Sequence, residues 1–213
     1  MFYSQADQDK WVCEILNYKK NGIFVDIGAY DGIQTSNSYY LEKELGWKGI
    51  CIEPNIRAYN SLILNRSSIN LNVALSDYNG QCLFQEDKIT SNTGNSTICK
   101  TLQTVLEENF ISTQIDYLSI DVEGHEYIIL KDFSFQKWEI KLITLEHNLY
   151  MDGPSNKDKL YKLMSANGFD RVVEDARCLD PDPRWYGKPY EDWYVNNNYS
   201  EIFKETIENW MGN

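Results

Sequence analysis

The chain has 213 residues, of which 42% are hydrophobic, and a formal net charge of −12. This length is sufficient for one domain that buries a core without disulfides or a structural metal, so we expect a single domain over residues 1–213. The strong negative charge argues against nucleic acid or an anionic membrane as a partner, because its field repels polyphosphate and anionic lipid.

The five cysteines and the N-terminal region bear on where the protein resides. The cysteines are scattered without C-x-x-C spacing, which is typical of reduced packing residues in a cytoplasmic protein. Residues 1–10 contain no basic region followed by an apolar run, and no later stretch has the roughly 18 apolar residues that span a bilayer. We therefore expect a cytoplasmic protein without membrane insertion.

Apolar runs alternate with helical patterns from residue 22 to about residue 175, as in βα units that build a parallel sheet. The first half predicts a strand at 23–27, a helix at 35–45 closed by Gly46, a strand at 49–53, a helix at 56–65 and a strand at 70–75. The polar stretch 76–97 predicts a hairpin and an irregular loop before a helix at 102–109.

The second half of the chain continues this alternation. It predicts a strand at 115–121, a helix ending near residue 131, a strand at 140–146, a helix at 157–166, a strand at 169–173 and a last strand at 192–195. The Pro-rich stretch 180–190 predicts a surface loop, whose Trp185 and Tyr186 are candidates for substrate contact. The whole pattern predicts an α/β, Rossmann-like fold with a mostly parallel central sheet and helices on both faces.

The segment 26–32 (D-I-G-A-Y-D-G) joins the first predicted strand to the first helix. Gly28 and Gly32 would let the backbone approach a ligand closely, beside the free N–H groups of a helix start. Glycines are also common in such turns for tight geometry alone. Glu53 ends the next strand, where a carboxylate can accept hydrogen bonds from ribose hydroxyls, although a solvated strand end is the alternative.

The spacing within this turn bears on the identity of the ligand. A dinucleotide enzyme requires G-x-G-x-x-G, which is absent, and Asp26 instead precedes the glycines in a D-x-G-x-x-x-G arrangement. An acidic residue is a poor neighbour for pyrophosphate but a suitable partner for a cationic amino-acid or sulfonium group. The pattern therefore favours S-adenosylmethionine over NAD.

Several segments together resemble the FkbM-type methyltransferases, over most of the chain. These segments are 4–5, 8–9, 25–32, 51–54, 73–77, 116–126 and 146–148, and the most specific is 116–126 (D-Y-L-S-I-D-V-E-G-H-E). The resemblance implies a class I methyltransferase fold and methyl transfer from S-adenosylmethionine, usually to an oxygen of a sugar, a polyketide or a related metabolite. Tyr30 departs from the family because such turns often carry Asn or Gly, and His125 departs because a small residue is common there.

The resemblance implies cofactor contacts at the carboxyl ends of the strands, where ligands of open α/β sheets gather. The expected cofactor-binding residues are Asp26, Gly28, Ala29, Tyr30, Gly32, Glu53, Ser76, Asp77 and Asp121. Asp77 has an alternative role as a turn residue before Asn79 and Gly80. The cofactor-binding part is expected over about 22–125, and residues 140–213 are expected to contribute the acceptor site.

Asp121, Glu146 and His147 are the candidates for chemistry. Asp121 ends a buried strand, where an unpaired charge is costly. His147 follows a strand beside Glu146 and is the candidate general base, although a structural histidine fits the sequence equally. The three together could also hold Mg²⁺, an ion that the ligand set supports only loosely. Glu123 is expected to cap the following helix.

The function expected from these residues is methyl transfer to a hydroxyl oxygen of a glycan or another polar small molecule. Three alternatives stay open on sequence alone: N-methyl transfer with the same cofactor, a cofactor-binding module without activity, and an NAD-dependent oxidoreductase. Selective binding of S-adenosylmethionine and S-adenosylhomocysteine would exclude the oxidoreductase, and turnover would exclude the inactive module.

Overall fold

The computed structural model describes residues 1–85, 88–109 and 112–211. Its strands are β1 (Ile23–Ile27), β2 (Lys48–Ile52), β3 (Ile69–Leu71), β4 (Ala74–Leu75), β5 (Gly80–Gln85), β6 (Lys88–Thr90), β7 (Asn95–Lys100), β8 (Gln114–Ile120), β9 (Glu139–Glu146), β10 (Phe169–Arg177) and β11 (Pro189–Asn196). Its α-helices are α1 (Gln8–Ile15), α2 (Tyr39–Leu45), α3 (Ile56–Asn65), α4 (Leu102–Glu108), α5 (Glu126–Leu130), α6 (Leu149–Asp152), α7 (Pro154–Ala166) and α8 (Asn197–Met211).

Seven strands form the central sheet, in the order β10-β11-β9-β8-β1-β2-β3. Strand β11 runs antiparallel to both of its neighbours, and the other pairs are parallel. Helices α4, α5 and α7 cover one face, where Leu106 and Leu160 join its apolar core, and α1, α2 and α8 cover the other around Trp11 and Leu41. This architecture confirms the predicted α/β fold with a mostly parallel sheet and helices on both faces.

The direction in which the chain crosses the sheet changes at β1. From β1 the chain proceeds outward to β2 and β3, and it later returns to β8 on the other side of β1 before continuing to β9. Ligands of open α/β sheets bind outside the carboxyl ends of the strands at such a switch point. The ends of β1, β2, β8 and β9 therefore mark where a site is expected.

A second sheet of four strands, in the order β4-β7-β5-β6, is formed by the segment between β3 and α4. The single strand predicted at 70–75 is wrong, because it divides into β3 and β4, which belong to different sheets. Asn72 lies at the division, and its side-chain amide donates to the carbonyl oxygens of Glu53 and Pro54 at 2.8 and 3.0 Å. The irregular loop predicted within 76–97 is instead largely strand, and residues 86 and 87 of that stretch lie outside the described residues.

The helix predicted at 35–45 begins only at Tyr39. Thr35 has a left-handed backbone with a φ of 54°, and Ser36 Oγ accepts hydrogen bonds from the backbone N–H groups of Ser38 and Tyr39. Short polar side chains that bind nearby backbone groups compete with helix formation, which accounts for the late start. Gly46 ends α2 as predicted, with a φ of 69°.

Helices α1 and α8 lie outside the predicted elements. They pack beside β11, where the ring of Trp193 lies 5.0 Å from that of Trp11 and 5.9 Å from that of Trp210, centroid to centroid. The available signal is helical apolar spacing, from Trp11 to Ile15 in α1 and around Ile207 in α8. Both helices are short or rich in polar residues, so this periodicity is weak.

The cysteines and the helices also bear on the expected environment of the protein. All five cysteines are buried and free of disulfides, in keeping with their predicted role in packing. Within the described ranges, no helix combines the length and the apolar character that crossing a membrane requires.

A buried charge cluster joins α2 to α3 and to the end of β1. The Arg66 side chain is fully buried and donates to Glu42 Oε2 at 2.7 Å and to Ser38 Oγ at 2.9 Å. Ser38 Oγ in turn donates to the Asp26 carboxylate. Burial alone would raise the pKa of Glu42, but the Arg66 charge and the hydrogen bonds from Ser67, Arg66 and Lys43 together lower that pKa to about 2.

Arg66→Leu is expected to lower the free energy of unfolding by about 3–5 kcal/mol, because it leaves the Glu42 carboxylate without its buried counter-ion. Urea denaturation followed by circular dichroism measures this loss. Lys43 pairs with the same carboxylate at 3.1 Å but is one-third exposed, so Lys43→Leu is the matched control. That control should cost less than about 1 kcal/mol, and equal losses in the two variants would contradict the role given to Arg66.

Candidate functional site

A cavity of about 840 Å³ opens at the carboxyl ends of β1, β2, β8 and β9. Small-molecule sites typically enclose about 300–1,000 Å³. The predicted site residues that line this cavity are Gly28, Tyr30, Glu53, Asp121 and Glu146. The second sheet and the loop between β10 and β11 supply further parts of its walls.

The turn after β1 is in contact with the end of β8. Gly28 has a φ of 87°, and its N–H donates to the Ile52 carbonyl at 3.0 Å. A Cβ placed on Gly28 would lie 1.8 Å from the Asp121 carbonyl oxygen, so a larger residue would force the two strand ends apart. Glycine is therefore required here by the approach of two backbone segments of the protein itself.

Glu53 is held in a fixed orientation at the end of β2. Its Oε2 accepts from the Tyr30 N–H at 2.9 Å, and its Oε1 accepts from the Asn55 N–H at 2.7 Å. These two bonds fix the carboxylate at the edge of the cavity, which Glu53 lines. The backbone N–H of Tyr30 is thus bonded within the protein, and the half-exposed residue lines the cavity.

Three carboxyl groups meet at the floor of the cavity. Oxygen atoms of Asp121, Glu123 and Glu146 lie within 4.8 Å of one another, and Glu146 Oε2 accepts from the Glu123 N–H at 3.1 Å. Burial, and then the Glu123 charge, raise the pKa of Asp121 to about 7. Burial, and then the Asp121 charge, raise the pKa of Glu146 well above its usual range. Because two such close carboxyls resist ionising together, Asp121 and Glu146 share a proton near neutral pH.

The turn that carries Glu123 is held by the buried carboxylate of Glu126. Glu126 Oε1 accepts from the N–H of Val122 at 3.3 Å and from that of Gly124 at 3.0 Å. The prediction that Glu123 caps the helix is wrong, because α5 begins at Glu126 and Glu123 precedes it with a left-handed φ of 57°. This conformation leaves Glu123 in the cavity wall.

One wall of the cavity is apolar, and we call it the apolar slot. It is formed by Ile52, Pro54, Val73, Leu75, Phe84 and Ile89. Phe84 and Ile89 come from β5 and β6, so the second sheet closes the slot. Phe84 and Ile89 were outside the predicted site, and the sequence signal for these two residues is only the weak apolar alternation within the polar stretch 76–97.

Aromatic residues form another part of the cavity lining, which we call the aromatic wall. The rings of Tyr150 and Trp185 lie 5.9 Å apart at 71°, in an edge-to-face arrangement. Tyr190 lies in the same wall, and its hydroxyl accepts from Gln8 Nε2 at 2.5 Å. Trp185 thus lines the cavity, whereas Tyr186 does not and is 63% exposed.

Asp26, Ala29 and Gly32 support the turn but do not line the cavity. The Asp26 side chain belongs to the charge cluster around Arg66; burial raises its pKa, and Arg66 acts against this. Ala29 donates its N–H to the Ile52 carbonyl at 3.1 Å. Gly32 packs on Arg66, where a Cβ would lie 2.7 Å from Arg66 Cγ.

Ser76 and Asp77 also lie behind the cavity wall. Asp77 pairs with Lys131 at 2.7 Å, which lowers the Asp77 pKa. Ser76 is 3% exposed, and its Oγ lies 3.1 Å from His125 Nε2. The cavity therefore meets the imidazole of His125 at this point rather than the two predicted side chains.

His147 is 1% exposed and does not line the cavity. Its Nδ1 accepts from the Leu149 N–H at 3.2 Å, so in the neutral ring Nε2 carries the proton and faces Asp192 Oδ1 at 3.3 Å and Asp175 Oδ1 at 3.5 Å. Such a ring has no free lone pair with which to accept a proton from a ligand. The structure does not bring His147 to Glu146's side of the sheet, because consecutive side chains along a strand face opposite ways.

The acidic neighbours of His147 are already neutralised. Lys157 donates to Asp175 at 2.7 Å, and Arg171 donates to Asp192 at 3.0 Å. These bonds tie α7 and β10 to β11. The three residues that could hold Mg²⁺ according to the sequence are not brought together, since the histidine belongs to this separate network.

Glu146→Gln is expected to change how stability depends on pH. A carboxyl whose pKa is raised by folding stabilises fully below its unfolded value, near 4.3, and this contribution is lost as pH rises toward the folded value. The free energy of unfolding of the wild type should therefore fall between pH 5 and 7 by up to about 1.4 kcal/mol per pH unit. The variant should lose the part of this slope that Glu146 contributes and should exceed the wild type in stability at pH 8. The part that comes from other buried carboxyls with a raised pKa, such as Asp121 and Glu191, should remain.

Urea denaturation across that pH range measures the effect. Asp132→Asn is the matched control, because its side chain is 77% exposed and its replacement should leave the slope unchanged. Parallel pH profiles for the wild type and Glu146→Gln would contradict the shared proton.

The fold is similar to those of solved methyltransferase structures. Methyltransferase FkbM from Methylobacillus flagellatus KT matches with a TM-score of 0.55 and 16% identity, over 82% of this chain and 43% of that one. The METTL16 MTase domain matches with a TM-score of 0.52 and 14% identity, over 88% and 65%. A putative rRNA-methylase from Clostridium thermocellum matches with a TM-score of 0.52 and 9% identity, over 92% and 97%. This chain spans less than two thirds of the first two, and all three likenesses show the class I methyltransferase fold.

No curated protein sequence matches the chain. The sequence pattern of the Methyltransferase FkbM domain matches residues 26–171, which is more than half of the chain. The matched range contains the turn after β1, Glu53 and the carboxyl groups of the cavity floor. It confirms the resemblance to the FkbM-type methyltransferases drawn from the sequence. The chain belongs to the FkbM methyltransferase family.

Proposed function

We propose that the protein transfers a methyl group from S-adenosylmethionine to a hydroxyl oxygen of a glycan or another polar small molecule. The observation that carries this proposal is the Asp121–Glu146 pair at the floor of the cavity. A carboxyl pair that titrates near neutral pH is suited to accept the proton of a hydroxyl group, because general bases work best when their pKa lies near the operating pH.

The proposed position of the cofactor rests on the fixed carboxylate and on the apolar slot. Glu53, oriented by the N–H groups of Tyr30 and Asn55, would accept hydrogen bonds from the ribose hydroxyls. The apolar slot would receive the flat base, and the turn at Gly28, which lines the cavity, would adjoin the amino-acid part. When bound, the cofactor supplies an electrophilic methyl group on a sulfonium centre.

The chain's own residues would orient the acceptor and take up its proton. The ionised member of the Asp121–Glu146 pair accepts the hydroxyl proton, and the partner that keeps the shared proton hydrogen-bonds to it. Burial of both groups strengthens these interactions, since the local dielectric is lower than in water. Glu123 adds negative charge beside the pair and so raises its affinity for a proton.

The acceptor is proposed to enter along the aromatic wall. Tyr150 and Trp185 offer flat faces that suit the apolar face of a sugar ring, and Lys188 and Asp180 add polar groups to the lining. The net charge of −12 argues against a polyanionic acceptor such as nucleic acid. We extend the proposal to one cytoplasmic domain, in which residues 22–125 hold the cofactor and residues 140–213 supply the acceptor side.

An amine acceptor is the second candidate, because the three carboxyl groups of the floor would also attract a cationic nitrogen. Trideuteromethyl-labelled cofactor and a panel of hydroxylated and amino-bearing metabolites distinguish the two. Nuclear magnetic resonance of the labelled product identifies the methylated atom. A methyl group found only on nitrogen would replace the O-methyl proposal, and binding without turnover of any acceptor would favour a module without activity.

Glu53→Gln is expected to weaken binding of S-adenosylhomocysteine by about 1–3 kcal/mol, because hydrogen bonds to a charged acceptor are lost. Isothermal titration calorimetry measures the change. Glu44 is exposed on α2 and lies outside the cavity lining, so Glu44→Gln is the matched control with unchanged affinity. Wild-type affinity in folded Glu53→Gln would remove this residue from the ribose site.

Asp121→Asn is expected to lower kcat by about 10²–10⁴-fold, the range for loss of a general base. In the wild type, kcat should rise with pH through the region near 7, because the pair accepts a proton only when it is ionised. The substitution also removes the charge that raises the pKa of Glu146. The rise of any remaining kcat with pH should therefore occur at lower pH than in the wild type.

His147→Gln provides the contrast, since His147 lies outside the cavity and should affect stability more than kcat. The measurement is a pH–rate profile at saturating substrate for all three proteins. A normal kcat with an unshifted limb in Asp121→Asn would exclude the carboxyl pair as the base.

A further inference from the structure

His125 is the histidine that faces the cavity, and the proposed mechanism does not use it. It stands at the N-terminal boundary of α5, and its Nε2 lies 3.1 Å from Ser76 Oγ. Ser76 directly follows Leu75, which lines the apolar slot. The imidazole is therefore anchored at the polar end of that slot.

The hydrogen bonds around Ser76 decide which nitrogen of His125 carries the proton. Lys131 hydrogen-bonds to Asp77 and lowers its pKa, so Asp77 is an ionised acceptor. Ser76 Oγ donates its single hydrogen to Asp77 Oδ1 at 3.3 Å and must therefore accept from His125 Nε2–H. Burial lowers the pKa of His125, which favours the neutral ring.

With Nε2 protonated, His125 Nδ1 carries a lone pair. No residue in the described part of the chain donates a hydrogen bond to Nδ1. A lone-pair acceptor at the end of an apolar slot fits a flat ring that carries an N–H donor on its edge. Binding of a ring that presents a carbonyl oxygen at this position is disfavoured, because two hydrogen-bond acceptors repel each other.

We infer that His125, held by Ser76, accepts a hydrogen bond from the 6-amino group of the cofactor's adenine and so selects adenine over 6-oxopurines. This inference rests on the proposed placement of the base in the apolar slot. Phe84 and Ile89 supply contact area to any flat base, whereas the acceptor at Nδ1 distinguishes one purine edge from another. His125 is thus a specificity residue that takes no part in the methyl transfer itself.

The test compares S-adenosylhomocysteine with S-inosylhomocysteine by isothermal titration calorimetry. The two differ at position 6 of the base and share the ribose and amino-acid parts, so the ratio of their affinities isolates recognition of that edge. The wild type should bind the adenosyl compound about tenfold more tightly, the effect of one hydrogen bond gained and one repulsion avoided. His125→Ala should bring the ratio to within about twofold of unity.

Two further variants separate recognition from structure. His125→Glu retains a side-chain acceptor without a donor and should restore part of the preference. Phe84→Ala is the matched control, because it removes apolar contact from both ligands and should weaken them equally while leaving the ratio unchanged. Circular dichroism melting curves establish that each variant is folded.

A wild-type ratio in folded His125→Ala would overturn this inference alone. A reduced ratio in Phe84→Ala equal to that in His125→Ala would also overturn it, since the preference would then come from packing. Failure of both compounds to bind the wild type would overturn the proposed cofactor placement and this inference with it.

Discussion

Contact between the turn after β1 and the end of β8 is the constraint on which the cavity depends. The Asp121 N–H donates to the Ile27 carbonyl at 3.0 Å, and Gly28 approaches the Asp121 carbonyl where no side chain fits. This contact holds together the ends of β1 and β8, which are neighbours in the sheet but far apart in the chain. Glu53 on one side and Glu146 on the other thereby face the same space.

Two sets of buried carboxyl groups in this protein differ in what balances their negative charge. Around Arg66, the carboxylate of Glu42 has an internal counter-ion, so its burial supports the fold. At the cavity floor, Asp121 and Glu146 lie beside each other and beside the acidic Glu123, and their burial and mutual repulsion raise the pKa of both. That arrangement costs stability above neutral pH, and the same raised proton affinity is what a base for a hydroxyl acceptor requires.

Local patterns were sufficient to predict most strands of the central sheet and the position of Glu53, because these depend on residues close in sequence. The errors arise from contacts between distant segments. Asn72 breaks a predicted strand by binding the backbone after β2, and Asp26 faces Arg66 although it adjoins the glycines of the turn. His125 faces the cavity through its bond to Ser76, which no periodicity within either segment reveals.

The second sheet contributes to one wall of the cavity, whereas the carboxyl groups of the floor are carried by the central sheet. Strands β4 to β7 are hydrogen-bonded to one another, and among the described residues they form a sheet distinct from the one that carries the carboxyl groups. Only a few of their side chains, Phe84 and Ile89 among them, reach the cavity. If the base occupies the apolar slot as proposed, shortening Phe84 or Ile89 would admit a cofactor analogue with an enlarged base while the carboxyl groups of the floor keep their positions.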